Sequence, residues 1–202
     1  MASSDKLVII KYNAGNIKSV LYALERIGQE AIVTDNHADI LSAEKVIFPG
    51  VGEASSAMTY LKERGLDQII RRLQQPVLGI CLGMQLMCAH SEENNTDCLG
   101  VFETRVRRFA PDDTSLKVPQ IGWNTVSGGL DPLFKGTGSE PYCYFVHGYY
   151  AEICHETAAT TTYGLPFSSA LQKDNFYGLQ FHPEKSSHTG QIILQNFLSI
   201  KS

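Results

Sequence analysis

The first eighty residues alternate between short apolar runs and segments in which apolar positions recur every three or four residues. The short runs are rich in β-branched residues, which predicts buried strands. These runs are Leu7–Ile10, Ala31–Val33, Val46–Phe48 and Val77–Ile80. The periodic segments predict one helix from Ile17 to Ile27, stopped by Gly28, and a helical stretch from Glu53 to Leu73, interrupted at Gly65. Strands that alternate with helices predict a doubly wound, mostly parallel α/β sheet flanked by helices.

The pattern changes after residue 99. Short β-like segments separated by glycine and proline predict antiparallel strands and loops added to the parallel core. These segments are Val101–Val106, Tyr142–Val146 and Ala158–Thr162. We expect a final pair of strands within Asn175–Phe181 and a closing helix over Gln191–Leu198. Because no repeat, low-complexity tract or linker interrupts the chain, residues 1–202 are expected to form one domain.

Composition excludes several classes of function. The net charge of -4 gives no electrostatic reason for binding nucleic acid or an anionic membrane. No apolar run approaches the roughly 20 residues that span a bilayer, and the first residues lack the apolar core of a secretory signal. The chain has 5 cysteines and no CxxC pair, which fits neither a disulfide framework nor a common zinc site. We therefore expect reduced thiols in a cytoplasmic protein without a metal.

Cys81 is the strongest candidate nucleophile. It follows the predicted strand Val77–Ile80 and lies between Gly79 and Gly83, an arrangement similar to the nucleophile elbow of serine hydrolases. The glycines allow a sharp backbone turn, and a sulfur at a helix start is expected to favour the thiolate. The other cysteines lack this setting, and most cysteines are small core residues. They are Cys88, Cys98, Cys143 and Cys154.

A base for this nucleophile is expected in Phe181-His182-Pro183-Glu184. His182 and Glu184 alternate along an extended backbone, so both side chains can point to the same side. Pro183 restrains the preceding residue to extended geometry. His182 can take the thiol proton and return it to a leaving amine, while Glu184 fixes its tautomer. The alternative for this segment alone is a surface ion pair or a helix start.

The loop Pro49-Gly50-Val51-Gly52 follows the predicted strand Val46–Phe48. Its glycines allow main-chain N–H groups to approach a small substrate and to stabilise the oxyanion of a tetrahedral intermediate. A phosphate-binding loop is a weaker alternative, because the segment matches neither GxGxxG nor GxxxxGK[ST]. An ordinary turn is the third possibility.

These motifs, in this order, resemble those of the class I, triad-type glutamine amidotransferases. Within that family the chain is similar to the glutaminase subunits of imidazole glycerol phosphate synthases. The finer match rests on segments spread over essentially the whole chain. These segments are Ala14-Gly-Asn16, Pro49-Gly-Val-Gly52, Ile121-Gly-Trp123-Asn124, Tyr144-Phe-Val-His147 and Phe181-His-Pro-Glu-Lys-Ser186.

The resemblance implies a cofactor-free hydrolysis of glutamine. Cys81 would attack the side-chain amide and release ammonia, and water would cleave the glutamyl thioester with help from His182. The backbone N–H groups of Val51 and Leu82 would be the oxyanion donors, with the first turned into place by a partner subunit. The resemblance also implies a set of glutamine-binding positions, in which Glu92 is an alternative to Glu93. This set is Gly50, Gly52, Gln85, Glu93, Gly148 and Tyr149.

The resemblance further implies a heterodimer with a (β/α)8-barrel cyclase subunit. The cyclase would use the ammonia to form imidazole glycerol phosphate and an aminoimidazole carboxamide ribotide in histidine biosynthesis. Without the family, we would expect Trp123 to be a core aromatic and Lys185 a solvated charge. The implied interface positions are Asn13, Asn16, Trp123, Tyr144 and Lys185.

Three segments depart from the family pattern. Lys11-Tyr-Asn13 replaces a frequent Asp-Tyr-Gly, Gln120 stands where many relatives carry histidine, and Gly148 replaces a commoner serine or threonine. The departure at Lys11 and Asn13 leaves room for a surface-sugar paralogue, and chorismate pathways use similar subunits. A non-catalytic interaction protein on the same scaffold, or a different α/β cysteine hydrolase, is a further alternative.

Overall fold

The computed structural model describes residues 6–13, 15–110, 116–129 and 132–201. Within these ranges the chain forms an α/β fold with one large sheet and a separate two-stranded sheet. The strands are β1 (Leu7–Ile10), β2 (Ile32–Thr34), β3 (Lys45–Phe48), β4 (Val77–Ile80), β5 (His90–Ser91), β6 (Thr96–Asp97), β7 (Arg105–Arg108), β8 (Gln120–Thr125), β9 (Tyr142–His147), β10 (Tyr149–Ala151), β11 (Thr157–Tyr163), β12 (Leu165–Lys173) and β13 (Phe176–Leu179). The helices are α1 (Ile17–Arg26), α2 (His37–Leu41), α3 (Ala54–Glu63), α4 (Leu66–Arg71), α5 (Leu82–Met87) and α6 (Ser187–Ser199), and a 3₁₀ turn spans Pro183–Lys185.

The core of the large sheet is parallel and covered by helices on both faces. Its strand order is β2-β1-β3-β4-β13, and every neighbouring pair in this order is parallel. Side chains alternate along β1, so Val8 and Ile10 pack with α3, α4 and α5, whereas Leu7 and Ile9 pack with α1 and α6. The predicted doubly wound, mostly parallel sheet is therefore confirmed.

Antiparallel strands extend this core, as predicted for the second half. β12 runs antiparallel to both β13 and β11, and β10 runs antiparallel to β12 and β7. The two-stranded sheet pairs β8 with β9, also antiparallel.

Predicted elements of the first half are confirmed within one or two residues. The first helix ends at Arg26, and Gly28 follows with φ 75°, the left-handed conformation that stops helices. The long helical stretch is divided at Gly65, which has φ 64°. Ala14, part of one resemblance motif, lies outside the described residues.

One predicted strand of the second half is wrong in its bounds. The strand expected over Val101–Val106 begins only at Arg105 and ends at Arg108. Its first part instead packs against the end of α5, where the N–H groups of Val101 and Phe102 both donate to the Met87 carbonyl, at 2.8 and 2.9 Å. The carbonyl end of a short helix thus captures backbone donors that a strand would need.

The pair of strands expected within Asn175–Phe181 is a single strand, β13. The reversal comes just before it, at Asp174 with φ 52°, so that the antiparallel partner is β12, upstream. The sequence pattern also missed β12, β8 and α2. β12 contains Pro166 and the buried pair Ser168 and Ser169, which conceal its apolar character.

The sheet order places the two candidate motifs side by side. β4 leads into Cys81 and β13 leads toward His182, and these neighbouring strands are parallel, so both carboxyl ends meet at one sheet edge. That edge is where open α/β sheets bind ligands. All 5 cysteines are free thiols. In the described ranges, no helix is both long and apolar enough to cross a membrane.

Candidate active site

Cys81 occupies a sharp and strained turn between β4 and α5. Its φ of 51° and ψ of -109° lie outside the regions that non-glycine residues prefer. The flanking glycines are required by close packing. A Cβ at Gly83 would lie 1.8 Å from the Phe48 carbonyl oxygen, and one at Gly79 would lie 2.9 Å from the Met84 backbone nitrogen. The predicted elbow is therefore present, and it aims the cysteine into the sheet edge.

His182 and Glu184 form a buried pair beside Cys81. Nδ1 of His182 lies 2.8 Å from Oε1 of Glu184, which fixes the tautomer that leaves Nε2 toward the sulfur. Nε2 is buried and makes no hydrogen bond of ordinary geometry with any described residue. Burial disfavours the imidazolium, but the charge and hydrogen bonding of the adjacent Cys81 sulfur and of the Glu184 carboxylate outweigh this effect and raise the pKa of His182 to about 10. The arrangement therefore favours the protonated imidazolium form of His182.

Glu184 is held by residues at both ends of α1. Nδ2 of Asn16 donates to Oε1 of Glu184, the same oxygen that faces His182, and Nη2 of Arg26 donates to the Glu184 carbonyl at 3.3 Å. Asn16 adopts φ 74°, so its backbone is itself in the left-handed conformation. The resemblance assigned Asn16 to a partner interface, and the structure places it in direct contact with the triad.

Neither of the two expected oxyanion donors is available. The N–H of Leu82 donates to the Gly50 carbonyl at 3.2 Å. Because C=O and N–H of a trans peptide point in opposite directions, the Val51 N–H points away from Leu82. The expected oxyanion site is therefore closed by its own loop, and a half-turn of the Gly50–Val51 peptide would open it.

Two hydrogen bonds hold this loop, one at the Pro49 carbonyl and one at the Val51 carbonyl. The Tyr12 hydroxyl donates to the Pro49 carbonyl at 2.6 Å, and the Gly15 N–H donates to the Val51 carbonyl at 3.1 Å. A Cβ at Gly50 would lie 2.0 Å from the Tyr12 oxygen, so only glycine fits there. The bond from Gly15 fixes the Val51–Gly52 peptide, which is the neighbour of the Gly50–Val51 peptide that would turn.

A pocket of about 260 Å³ opens in front of Cys81. Gly50, His182 and Glu184 are not among the residues that line it. Seven of the other residues predicted for the site do line it, together with Pro119, Val146 and His147. These seven are Val51, Gly52, Leu82, Gln85, Glu93, Gly148 and Tyr149.

The structure distinguishes the two adjacent glutamates. Glu93 lines the pocket and accepts the Ala54 N–H at 2.8 Å, while burial raises its pKa. Glu92 points away, pairs with Arg107 at 2.7 Å and accepts the Arg108 N–H at 2.9 Å. Glu93 is therefore the carboxylate available to a ligand.

Sequence reasoning gave no role to His147, which is buried in the pocket wall. Nδ1 lies 2.7 Å from the Tyr149 carbonyl, which can only accept, so this nitrogen carries the proton. Nε2 lies 3.0 Å from Oε1 of Gln120, and a half-turn of that amide gives the neutral ring a donor there. Burial lowers the pKa of His147, the hydrogen bond to the Tyr149 carbonyl opposes this and the charge of nearby His182 adds to it, which brings the pKa to about 4.

We expect His147 to remain neutral throughout the physiological range. The unfolded chain protonates it near 6.5 and the folded chain only near 4, so its contribution to stability is complete above 6.5 and is lost as pH falls toward 4. In an NMR titration its ring resonances should stay constant from pH 8 to about 5. The protein in denaturant supplies the reference titration. A folded-state midpoint near 6.5 would contradict this expectation.

Gln180 is a second residue that sequence reasoning missed. It is fully buried, its Nε2 lies 3.7 Å from the Cys81 sulfur, and its Oε1 accepts from Gln85 at 2.9 Å. The available signal was a glutamine within the apolar run that ends at Phe181. A buried polar side chain in such a run needs a partner.

An exposed aromatic patch lies on the β8–β9 hairpin. Trp123 is 43% exposed, which contradicts the core aromatic expected from composition. Its ring stacks on Tyr142 and meets Tyr144 edge-on, and Nζ of Lys185 lies 5.9 Å from the Tyr144 ring centre. We call Trp123, Tyr142, Tyr144 and Lys185, with exposed Ile121, the hairpin patch.

Backbone contacts connect the hairpin patch to the triad segment. The His182 N–H donates to the Tyr144 carbonyl at 2.9 Å, and the Tyr144 N–H donates to the Ser186 hydroxyl at 3.0 Å. The structure thus brings together three of the five predicted interface residues, Trp123, Tyr144 and Lys185. Asn13 lies apart and donates to the Ser56 carbonyl on α3 at 3.2 Å.

Comparison with known proteins gives one consistent result. Residues 8–200 match the family model described as glutamine amidotransferase class-I. The chain is 58% identical over 195 residues to the imidazole glycerol phosphate synthase subunit HisH of Bacteroides fragilis, covering 96% of this chain and 100% of that protein. The subunits of the same name from Bacteroides thetaiotaomicron and Idiomarina loihiensis are 55% and 42% identical, each over 96% of this chain and over 100% and 97% of their own lengths.

Solved structures share the fold at much lower identity. A crystal structure of a glutamine amidotransferase superposes with a TM-score of 0.73 at 18% identity and covers 95% of this chain and 96% of that one. A glutamine amidotransferase from Thermotoga maritima superposes with a TM-score of 0.61 at 17% identity, over 96% of this chain and 83% of that one.

Proposed function

The chain belongs to the class I glutamine amidotransferase family, and we propose that it is the glutaminase subunit of an imidazole glycerol phosphate synthase in histidine biosynthesis. The observation that carries this proposal is the similarity to the HisH subunits over nearly the whole chain. The site supports it, because Cys81, His182 and Glu184 stand together at the sheet edge in front of a small pocket. Residues 1–202 would act as one glutaminase domain, and the free thiols fit the reducing cytoplasm.

The first chemical step uses the Cys81–His182 pair. The thiolate attacks the carboxamide carbon of glutamine, and the imidazolium gives its proton to the departing ammonia. A glutamyl thioester remains on Cys81. Neutral His182 then takes a proton from water, which attacks the thioester and releases glutamate. Glu184 stabilises the imidazolium in both steps from 2.8 Å away.

The oxyanion of each tetrahedral intermediate needs N–H donors, and the Leu82 N–H is the first. The second is the Val51 N–H, and both donors become available only after the Gly50–Val51 peptide turns and frees the Leu82 N–H from the Gly50 carbonyl. One such donor is worth about 10²–10³ in rate. We therefore propose that the free chain is a slow glutaminase and that a partner stabilises the turned peptide.

Glutamine recognition would come from the walls of the pocket. The Glu93 carboxylate is the one charged group among the pocket-lining residues that suits the α-ammonium of the substrate. Gly52, Gly148 and Tyr149 line the same pocket, and their backbone N–H groups would bind the substrate's carboxylate and amide oxygen.

Glu93→Gln is expected to raise KM for glutamine at least about tenfold with a smaller change in kcat, because it removes a ground-state ion pair. Steady-state kinetics of the complex measure this. Glu92→Gln is the matched control and should leave KM unchanged, since its carboxylate faces Arg107. If the two variants behave alike, Glu93 does not bind the ammonium.

The partner would be a cyclase of (β/α)8-barrel architecture in a heterodimer, and the hairpin patch is its proposed contact surface. Several features support this placement: the patch exposes Trp123, Tyr142 and Ile121, it carries Lys185, and its backbone holds His182. A partner seated on the patch would therefore lie close to the triad and receive ammonia directly. Asn16, bonded to Glu184, and Asn13 would extend the contact along the loop after β1.

The alternative with the most support is a glutaminase of the same chemistry that serves another acceptor, such as a surface-sugar enzyme. Isotope transfer distinguishes the two. The chain is purified with a candidate cyclase and given glutamine labelled with ¹⁵N in its side-chain amide. The proposal expects the label in the imidazole ring of the product. Label found only in free ammonia, with no stable complex, would overturn the pathway assignment and leave the glutaminase chemistry in place.

A further inference from the structure

A buried row of two glutamine side chains ends at the reactive sulfur. Gln85 on α5 and Gln180 after β13 are 5% and 0% exposed. Nε2 of Gln85 lies 2.9 Å from the Tyr149 carbonyl and 2.9 Å from Oε1 of Gln180. Nε2 of Gln180 lies 3.7 Å from Sγ of Cys81. The mechanism described above gives Gln180 no part.

The direction of every bond in this row is fixed by one backbone carbonyl. The oxygen of Tyr149 can only accept, so the group of Gln85 that faces it must be the NH₂. The second hydrogen of that NH₂ points at Gln180, which must therefore present its oxygen. The NH₂ of Gln180 is left to face the sulfur of Cys81. Rotating either amide would place two donors or two acceptors against each other.

We propose that Gln180 is a positioning residue for the nucleophile: its amide N–H holds Sγ of Cys81 and stabilises the thiolate, in an orientation enforced by Gln85. The inference deepens the proposed function, since it rests on Cys81 being the nucleophile. It also gives Gln85 a task besides lining the pocket.

A second contact of the Cys81 sulfur disfavours the thiolate, and the donor on Gln180 counteracts it. Sγ also lies 3.7 Å from the Val146 carbonyl, an acceptor that favours the protonated thiol. Gln180 supplies the fixed dipole of opposite sign, and hydrogen bonds to a charged acceptor are stronger than those to a neutral one. The same donor stabilises the thiolate when it leaves the thioester, so it acts in both halves of the reaction.

The test measures the ionisation of Cys81 without glutamine. Iodoacetamide alkylates thiolates, and mass spectrometry of the Cys81 peptide gives its rate of modification at each pH. The proposal expects Gln180→Met, which keeps the length of the side chain and removes the donor, to move the midpoint of this profile upward by about one to two pH units. Gln120→Met is the matched control, because Gln120 is equally buried and contacts His147 instead of the sulfur. Its profile should coincide with that of the unmodified protein.

A second variant keeps the test decisive if Gln180→Met does not fold. Gln180→Glu preserves shape and the oxygen but replaces the donor with an acceptor, so the midpoint should move upward at least as far. A folded Gln180 variant whose profile coincides with the control overturns the proposal. Failure of the proposed function would look different: the Gln180 variants would still shift the profile, while the unmodified complex would not hydrolyse glutamine.

Discussion

Replacing Cys81 with alanine should reduce glutamine hydrolysis by about 10⁴-fold or more while leaving the fold intact. Without the sulfur no thioester can form, and removal of a nucleophile from a catalytic unit has effects of this size or larger. Alanine fills less space than cysteine at a position that is 6% exposed, and it adopts the same φ of 51° at similar strain. The measurement is ammonia release by the complex with its partner, together with a far-UV circular dichroism spectrum.

Cys143→Ala is the matched control for this prediction. It also removes a buried thiol, but from β9 in the core, where burial raises the pKa of that thiol to about 12. Turnover should stay within a few-fold of the unmodified complex. If Cys81→Ala retained turnover, Cys81 would have to be removed from the mechanism.

The second large effect is expected for Gly83→Ala. Its Cβ would lie 1.8 Å from the Phe48 carbonyl oxygen and 2.8 Å from the carbonyl carbon, which are backbone atoms of β3 and cannot move aside like a flexible side chain. Helix α5 would have to shift away from the sheet. We expect the free energy of unfolding to fall by about 3 kcal/mol or more, at the upper end of overpacking effects. Urea denaturation measures it.

Gly148→Ala serves as the control for that destabilisation. A Cβ there would lie 3.9 Å from its nearest neighbours, Pro119 and Val118, which is ordinary van der Waals contact. Its unfolding free energy should therefore change by less than about 1 kcal/mol. Equal losses in the two variants would mean that the elbow is not packed as described.

The placement of the candidate catalytic residues could be predicted because short-range patterns encode it. Gly79, Cys81 and Gly83 specify a strand–turn–helix junction within five residues of sequence, and His182-Pro-Glu184 specifies two side chains on one side of an extended segment. The parallel arrangement that brings these segments together follows from the alternation of strands and helices. It requires no knowledge of individual contacts.

The buried row of Gln85 and Gln180 could not be predicted in the same way. It depends on the depth at which α5 packs against β13 and on a third contact, the Tyr149 carbonyl. No local spacing encodes such a meeting of three distant segments. The closed oxyanion loop is a similar case, because a peptide plane can turn without any change in the residues that flank it.

Exposure was misjudged where tertiary structure overrides composition. Trp123 would be a core residue by composition, yet β8 lies with β9 in a two-stranded sheet and leaves its ring 43% exposed. In the opposite direction, Ser168 and Ser169 concealed β12. Ser168 can be buried because its hydroxyl is hydrogen-bonded to the Thr157 hydroxyl at 2.7 Å and donates to the Glu152 carbonyl at 2.9 Å.

We propose that this chain is a glutaminase held in a slow state until a cyclase partner completes its oxyanion site. The most direct test is the rate of glutamine hydrolysis by the isolated chain and by its purified complex with the cyclase. We expect the complex to be at least about 100-fold faster, the worth of one oxyanion donor. Equal rates in the two preparations would contradict the claim.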